Sequence, residues 1–304
     1  MDLSQFSSFF NSVKRDSSFF TLGNLGSSPT SLSLCFAENE TFLKKICDNE
    51  IISCVLCTPE LADNDELLKS GKGIAVCESP RRSFYKLHNW LSENSDEYNP
   101  KKKRTVIGED TLIHPSAVIA DMGVIIGNNV TIEEEVIIRS GTIIDDDTII
   151  FAGAIIGGEN HIITNDKEGN LFLIKQMGKC HIGKNVAIGY HSMIARGTFP
   201  YDETVIGDYT KIENSVEVSH NSKIGRNCII TGQCQICGNA VIGDNCRMNP
   251  KSVVSNQVKI GDDVMIGIGS VVVNNLKNGS NVSGNYAIDH RKFLLWHRKK
   301  LAEK

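Results

Sequence analysis

An aliphatic residue that returns at every sixth position is the feature that most constrains this chain of 304 residues. The series runs from Ile206 to Val272 without a slip, and a small or branched residue, such as Thr204, Cys228 or Ser270, stands two positions before each member. Neither the 3.6-residue period of a helix nor the two-residue alternation of a strand explains this spacing. Corner segments such as Gly243-Asp244-Asn245 follow many hexads, and these residue types tolerate positive φ. The pattern therefore predicts a parallel β-helix built from hexapeptide repeats.

The same repeat lies on both sides of a long interruption. Hexads occupy Ile126 to Ile156 and resume at Ile182, whereas the turns from Ile107 to Ile119 are one residue out of register. Because three hexads close one coil, residues 18 apart should stack about 4.8 Å from each other. The loop Gly157 to Gly178 leaves this regular structure, and loops of that length usually serve a function. Pro200 occupies an aliphatic position, which predicts a turn that bulges outward.

The pattern divides the chain into three parts. Residues 1–98 lack the hexads, and strand-like runs such as Ile51 to Cys57 alternate there with helical runs such as Pro80 to Leu91, which predicts a small α/β domain. The β-helix should span 99–283, with the insertion at 157–178. Residues 284–304 read as a basic helix. The predicted fold class is mainly β.

Charge and cysteine usage exclude several classes of protein. A net charge of −4 argues against nucleic acid as the main partner. No apolar run nears the length of a membrane span and no signal peptide is evident, so we expect a cytoplasmic protein whose ten cysteines are reduced thiols. Cys54 and Cys57 form a C-x-x-C inside a strand-like run without a second pair, so packing is favoured over a metal site, and no metal is expected.

Separate motifs resemble one enzyme family. The run Glu213-Asn214-Ser215-Val216-Glu217-Val218-Ser219-His220-Asn221 resembles the Asp-Asn-x-x-x-[Ile/Val]-x-His-Asn segment of the UDP-3-O-acylglucosamine N-acyltransferases, the hexapeptide-repeat enzymes of lipid A synthesis in lipopolysaccharide. Phe36-x-x-Asn39-x-x-Phe42 is similar to their uridine-binding signature, with Phe42 where Tyr is usual. Ala195-Arg196-Gly197 resembles their Asp-Arg-Gly. The chain thus looks like this family, or a relative that acts on another nucleotide-linked amino sugar.

The resemblance implies a left-handed β-helix, a homotrimer with active sites between subunits, and N-acyl transfer. It makes His220 the general base that takes a proton from the sugar amine. The Gly238 amide, one predicted coil later, would form the oxyanion hole. Glu213 either orients the imidazole or is a solvated corner residue. Substrate contacts are implied for a wider set: Phe36, Asn39, Phe42, Asn214, Asn221, Arg196 and Gln257, the last where the family commonly has a second histidine.

The acyl donor stays open between an acyl carrier protein and coenzyme A, either of which would be a cosubstrate and not a bound cofactor. Carrier proteins are acidic, and the C-terminal segment carries Arg291, Arg298 and Lys299, which favours a carrier-protein donor. An alternative is an acyl-coenzyme A-dependent N-acyltransferase for an O-antigen or capsule dideoxy amino sugar. A further alternative is a nonenzymatic β-helix scaffold that binds a nucleotide sugar. A metal-dependent hydratase would require an H-x4-H pair, and the sequence has none.

Overall fold

The computed structural model describes residues 1–25, 29–99, 102–165, 168–284 and 289–302. Parts of the predicted segments fall outside this range: residues 166–167 of the insertion, and 285–288 and 303–304 of the C-terminal segment.

The first hundred residues form an α/β unit around a five-stranded sheet. Its strands are β1 (Ser12–Arg15), β2 (Thr21–Leu22), β3 (Ser33–Ala37), β4 (Ile52–Cys57) and β5 (Gly73–Val76). Its helices are α1 (Glu40–Cys47), α2 (Pro59–Ala62), α3 (Asp65–Lys69) and α4 (Pro80–Asn94), after a 3₁₀ helix at Leu3–Phe9. The strand order is β1-β5-β4-β3-β2, and all pairs are parallel except β1 with β5. The predicted strand over Ile51 to Cys57 and helix from Pro80 are confirmed.

The C-x-x-C pair lies on β4, where residues three apart face opposite sides of the sheet. Cys54 accordingly packs in one core cluster and Cys57 in the other. Burial raises the pKa of Cys54 to about 11 and that of Cys57 to about 12, so both remain thiols. Their strand positions explain why the motif forms no shared site.

Residues 106–282 form the predicted β-helix, whose short strands stack into three parallel sheets. The first sheet contains Leu112–Ile113, Thr131–Ile132, Ile149–Ile150, Ala187–Ile188, Lys211–Ile212, Ile229–Ile230, Arg247–Met248, Met265–Ile266 and Asn281–Val282. The second contains Val118–Ile119, Ile137–Ile138, Ile155–Gly158, Met193–Ala195, Glu217–Val218, Gln235–Ile236, Val253–Val254 and Val271–Val272. The third contains Val106–Ile107, Ile125–Ile126, Thr142–Ile144, Lys179–Ile182, Glu203–Ile206, Lys223–Ile224, Val241–Ile242 and Lys259–Ile260.

The hexad positions fill the interior as the sequence predicts. From Ile126 onward the aliphatic residues are buried, and so are the small residues two positions earlier, including the cysteines, whereas Ile107 in the first coil is exposed. Val218 pairs with Ile236, three hexads further along the chain, whereas Ile107 in the early coils pairs with Ile126, one position beyond that spacing. Corner residues such as Asn245, with φ 56°, adopt the left-handed conformation expected of them. One coil therefore corresponds to three hexads.

A bulge interrupts this register after the strand Met193–Ala195. Ile194 pairs with Val218, four hexads further along instead of three, because the intervening coil contains an extra loop. Phe199 in this loop is completely buried in the core of the α/β unit, with its ring 5.9 Å from that of Phe84. The outward bulge predicted from Pro200 is confirmed, and it connects the two parts of the molecule.

The insertion forms a hairpin that rests on helix α4. Its strands Ile162–Asn165 and Leu171–Ile174 pair in antiparallel orientation. The Asn89 amide donates to the Leu173 carbonyl at 2.8 Å, and its oxygen accepts from the Lys175 N–H at 3.0 Å. His88 and Tyr98 are buried beneath this contact. The hairpin thus gives the α/β unit a second attachment to the β-helix.

A basic helix, α5 (His290–Ala302), follows the β-helix. Its aromatic residues Phe293 and Trp296 contact each other and remain partly exposed. None of the described helices is long and apolar enough to cross a bilayer.

We expect acid to weaken the hairpin contact through His88. Burial lowers the pKa of His88 to about 4, and its Nε2 lies 2.8 Å from the Lys175 carbonyl oxygen. Because the folded pKa lies below the unfolded value of 6.5, stability is lost as the pH falls from 6.5 towards 4, by about 3 kcal/mol. Denaturant unfolding at pH 7 and pH 4.5 should show a smaller decrease in His88→Gln than in the wild type. His161→Gln, at an exposed position, should retain the wild-type decrease; equal decreases in all three proteins would contradict this assignment.

Candidate active site

His220 and Gly238 lie in contact at the corner between the second and third sheets. Each stands two residues after a strand of the second sheet, and Val218 and Ile236 of those strands are ladder partners. A Cβ built on Gly238 would lie 2.5 Å from Nε2 of His220 and 2.6 Å from Cε1. Only glycine leaves room for the imidazole here. The spacing of one coil therefore brings together the two residues that the sequence singled out.

The other ring nitrogen of His220 faces the bulge. Nδ1 lies 3.3 Å from the hydroxyl oxygen of Thr198. Burial lowers the pKa of His220, and a hydrogen bond with Asn221 opposes this effect. The imidazole is therefore neutral at neutral pH. When Nδ1–H donates to Thr198, Nε2 on the Gly238 side is left free to accept a proton.

A buried polar network fixes Thr198. Asn221 Oδ1 accepts from the Thr198 N–H at 2.8 Å, and Asn221 Nδ2 donates to Asp202 at 2.7 Å. The same Asp202 oxygen accepts from the Phe199 N–H at 3.1 Å. Both ends of the Asn221 amide are thus used within the protein. These contacts give Asn221 a positioning role, and contact of its side chain with substrate stays a prediction.

The N–H of Gly238 is unpaired among the described residues, unlike that of the next residue. Asn239 N–H donates to the His220 carbonyl at 2.9 Å, and the Gly238 carbonyl accepts from Gln257 N–H at 3.1 Å. No acceptor for the Gly238 N–H itself occurs among the residues that the structure describes. A backbone donor without a partner, next to a neutral imidazole, is the arrangement that an oxyanion hole requires.

A cavity of about 210 Å³ lies beside this pair, between the α/β unit and the next coils. The β-helix contributes Asn239, adjacent to Gly238, and Gln257, one coil further. The remaining lining residues come from the α/β unit: Asn24, Leu25, Phe36, Glu38, Phe42, Arg81 and Tyr85. Phe36, Phe42 and Gln257 were expected here from the resemblance. Arg81 and Asn239 were not, because the sequence does not show how the two parts of the molecule meet.

Two predicted residues have local structural roles instead. Asn39 is the N-cap of α1, and its side-chain oxygen accepts from the Phe42 N–H at 3.0 Å. It does not line the cavity. Asn214 lies at the corner between the first and second sheets, where its oxygen accepts from the Tyr190 N–H at 3.0 Å. Both amide oxygens are used by the backbone of this chain, and contact of either residue with substrate stays a prediction.

Glu213 occupies the same distant corner as Asn214. Its carboxylate accepts from the Gly232 N–H at 2.9 Å, so within one chain it does not orient His220. Thr198 orients the His220 ring instead. The repeat pattern did not predict this role, because Thr198 lies in the coil that contains an extra hexad.

The remaining predicted residues lie elsewhere. Arg196 is buried one coil before His220, and Arg291, Arg298 and Lys299 are exposed on α5.

We expect Gly238→Ala to destabilise the protein through contact with the ring of His220. Forcing a methyl group into an occupied site usually costs about 1–3 kcal/mol. In a His220→Ala background the ring is absent, so the same substitution should cost less than half as much. Denaturant unfolding of the four proteins of this double-mutant cycle measures the coupling. Additive effects would show that the ring does not contact Gly238.

Comparison with known proteins agrees with this architecture. No protein-family model matches the sequence. A UDP-3-O-acylglucosamine N-acyltransferase of Rhizobium rhizogenes (strain K84) is 50% identical over 60 residues, which span 20% of this chain and only 16% of the relative. A solved UDP-N-acetylglucosamine acyltransferase from Campylobacter jejuni aligns with a TM-score of 0.53 at 24% identity, over 64% of this chain and 78% of that one. The predicted fold class, mainly β with a left-handed parallel β-helix of hexapeptide repeats, is thereby confirmed.

Proposed function

We propose that this protein is an N-acyltransferase that moves an acyl group from a thioester to the amine of a nucleotide-linked amino sugar. One observation carries the proposal: the neutral imidazole of His220 lies against Gly238, whose N–H has no acceptor among the described residues, at the edge of an aromatic cavity. The names of the similar proteins support the substrate class, since both act on UDP-linked amino sugars by name.

The two residues account for each step of the transfer. The amine nitrogen attacks the thioester carbonyl, and Nε2 of His220 takes the amine proton as the C–N bond forms. The Gly238 N–H donates to the oxyanion, an interaction that contributes about 3 kcal/mol in other acyl transfers. The C–S bond then breaks, and the departing thiolate receives the proton from His220. Thr198 holds the ring in the required orientation throughout.

The cavity supplies the means to hold the acceptor. Phe36 and Phe42 offer ring faces for a nucleobase, and Arg81 provides a guanidinium suited to a diphosphate. Asn239 and Gln257 lie nearest the catalytic corner and can donate to and accept from sugar hydroxyl groups. We therefore propose that the nucleotide sugar binds with its base against the phenylalanine rings, its phosphates at Arg81 and its sugar nearest His220.

The donor side belongs to the same proposal. An acyl carrier protein or coenzyme A would present its thioester at the open side of the His220 corner, with Arg291, Arg298 and Lys299 attracting an acidic carrier protein. A homotrimer would close this side with a second subunit and exclude water from the thioester. We propose that the reaction takes place in the cytoplasm.

We expect His220→Ala to lower kcat/KM by about 10²–10⁴-fold, the usual contribution of a general base. His191→Ala, at another corner, is the matched control and should leave kcat/KM unchanged. In the wild type, the acid limb of kcat/KM should lie below pH 6.5, because burial lowers the pKa of His220 and the ring is inactive once protonated. Release of free thiol at saturating acceptor measures these rates. Full activity of His220→Ala would refute the proposed role.

Phe42→Ala should raise the KM for the nucleotide sugar by about tenfold while kcat changes little, because stacking on the base is equal in the ground and transition states. Phe20→Ala, another half-exposed phenylalanine of the same unit outside the cavity, is the control. A decrease in kcat at constant KM would place the base elsewhere.

A further inference from the structure

Two cationic side chains meet over Gly141, on the coils before the catalytic corner and on the side away from the cavity. A Cβ built on Gly141 would lie 2.5 Å from Nη2 of Arg196 and 3.3 Å from Nζ of Lys102. Gly141 has φ +86°, a conformation that residues with a side chain rarely adopt. Because glycine has no side chain, both cations can approach its backbone, which we call the floor of the site.

One hydrogen bond orients the guanidinium of Arg196, but its hydrogen-bonding capacity is only partly used. Its Nε donates to the Gly178 carbonyl at 2.9 Å, which fixes the plane of the group. Arg196 is only 9% exposed, and its Nη2 has no hydrogen-bond partner among the described residues. Leaving a buried charged donor unpaired costs free energy unless a ligand pairs with it.

No carboxylate of the described residues forms an ion pair with Arg196 or Lys102. Burial lowers the pKa of Arg196, and the nearby Glu159 carboxylate opposes this effect without forming an ion pair with it. The Glu159 carboxylate accepts from the Gln176 N–H at 3.4 Å. Cys180, also nearby, is kept neutral because burial raises its pKa to about 12. Burial, Arg196 and then Lys179 lower the pKa of Lys102. Positive charge is therefore concentrated here without a described carboxylate partner.

We infer that Lys102 and Arg196, over the floor of Gly141, form a binding site for a phosphate group. A guanidinium and an ammonium together match the charge of about −2 on a phosphate monoester, and a guanidinium edge suits its oxygens. Lys102 is half-buried and has no hydrogen-bond acceptor among the described residues, so its flexible side chain can turn to admit the ligand.

The position of the site favours the donor as the source of the phosphate. Ile138, Ile156, Ile194 and Val218 follow one another up the second sheet, so Gly141 is about three coils, or roughly 14 Å, from His220. The acceptor cavity lies in the opposite direction, with Asn239 and Gln257 on later coils. An extended thioester donor could thus place its sulfur at His220 and a phosphate at Arg196. This last step rests on the proposed function; the phosphate site itself does not.

Titration of the full-length protein with inorganic phosphate, followed by calorimetry at constant ionic strength, tests the site without any assay of activity. Lys102→Met keeps the alkyl chain and removes the charge, and it should weaken phosphate binding by at least about tenfold, since a charged hydrogen bond is lost. Lys103→Met, an exposed neighbour, should bind within about twofold of the wild type. In phosphate-free buffer Lys102→Met should melt no lower than the wild type, because it relieves repulsion with Arg196.

Further measurements identify the source of the phosphate group and the results that would overturn the inference. If coenzyme A binding weakens in Lys102→Met while UDP binding does not, the site serves the donor; the reverse result assigns it to the acceptor, and loss of phosphate binding alone assigns it to free phosphate. No binding of phosphate by the wild type, equal binding by both proteins, or a lower melting temperature of Lys102→Met would overturn the inference. None of these results depends on whether His220 is catalytic.

Discussion

The burial of Phe199 in the core of the α/β unit determines how the whole molecule is arranged. This side chain leaves the β-helix on an extra hexad of chain and packs between Phe84 and His88 of a different domain. Burying a phenylalanine contributes about 2–3 kcal/mol, and the contact also fixes an orientation. Because Phe84 touches Phe36, the aromatic cavity is placed at a set distance from the catalytic corner.

The same loop couples this docking to the chemistry. Thr198 precedes Phe199 and faces Nδ1 of His220, while Asp202 and Asn221 hold the loop from behind. A disturbance of the interface between the two parts would therefore reach the imidazole through Thr198 and through Asn221, its neighbour in the chain. Asp202 is buried, and burial raises its pKa, so this support depends on hydrogen bonds that water cannot replace.

The sequence predicts the repeat, the interior and the stacking of His220 on Gly238, because each follows from a fixed period of three hexads. It fails where that period is broken or where two units meet. Thr198 belongs to the irregular coil, and Arg81 and Asn24 reach the cavity only after the domains dock. The resemblance implies a nucleotide contact for Asn39, and its place as an N-cap was not predicted from the sequence. The structure shows the cap, since the helix uses the amide oxygen.

The coil register also has a consequence for how such a protein can change over evolution. Between Ile126 and Ile156, the backbone ladders join each coil only to its neighbours, so the coils are similar units. Gain or loss of one whole coil there would preserve every inward position and leave His220 and Gly238 untouched. It would shift the beginning of the β-helix by one strand spacing, about 4.8 Å. The hairpin and the Phe199 loop both leave the β-helix after these coils. The length of the β-helix and the geometry of the catalytic corner can therefore vary independently.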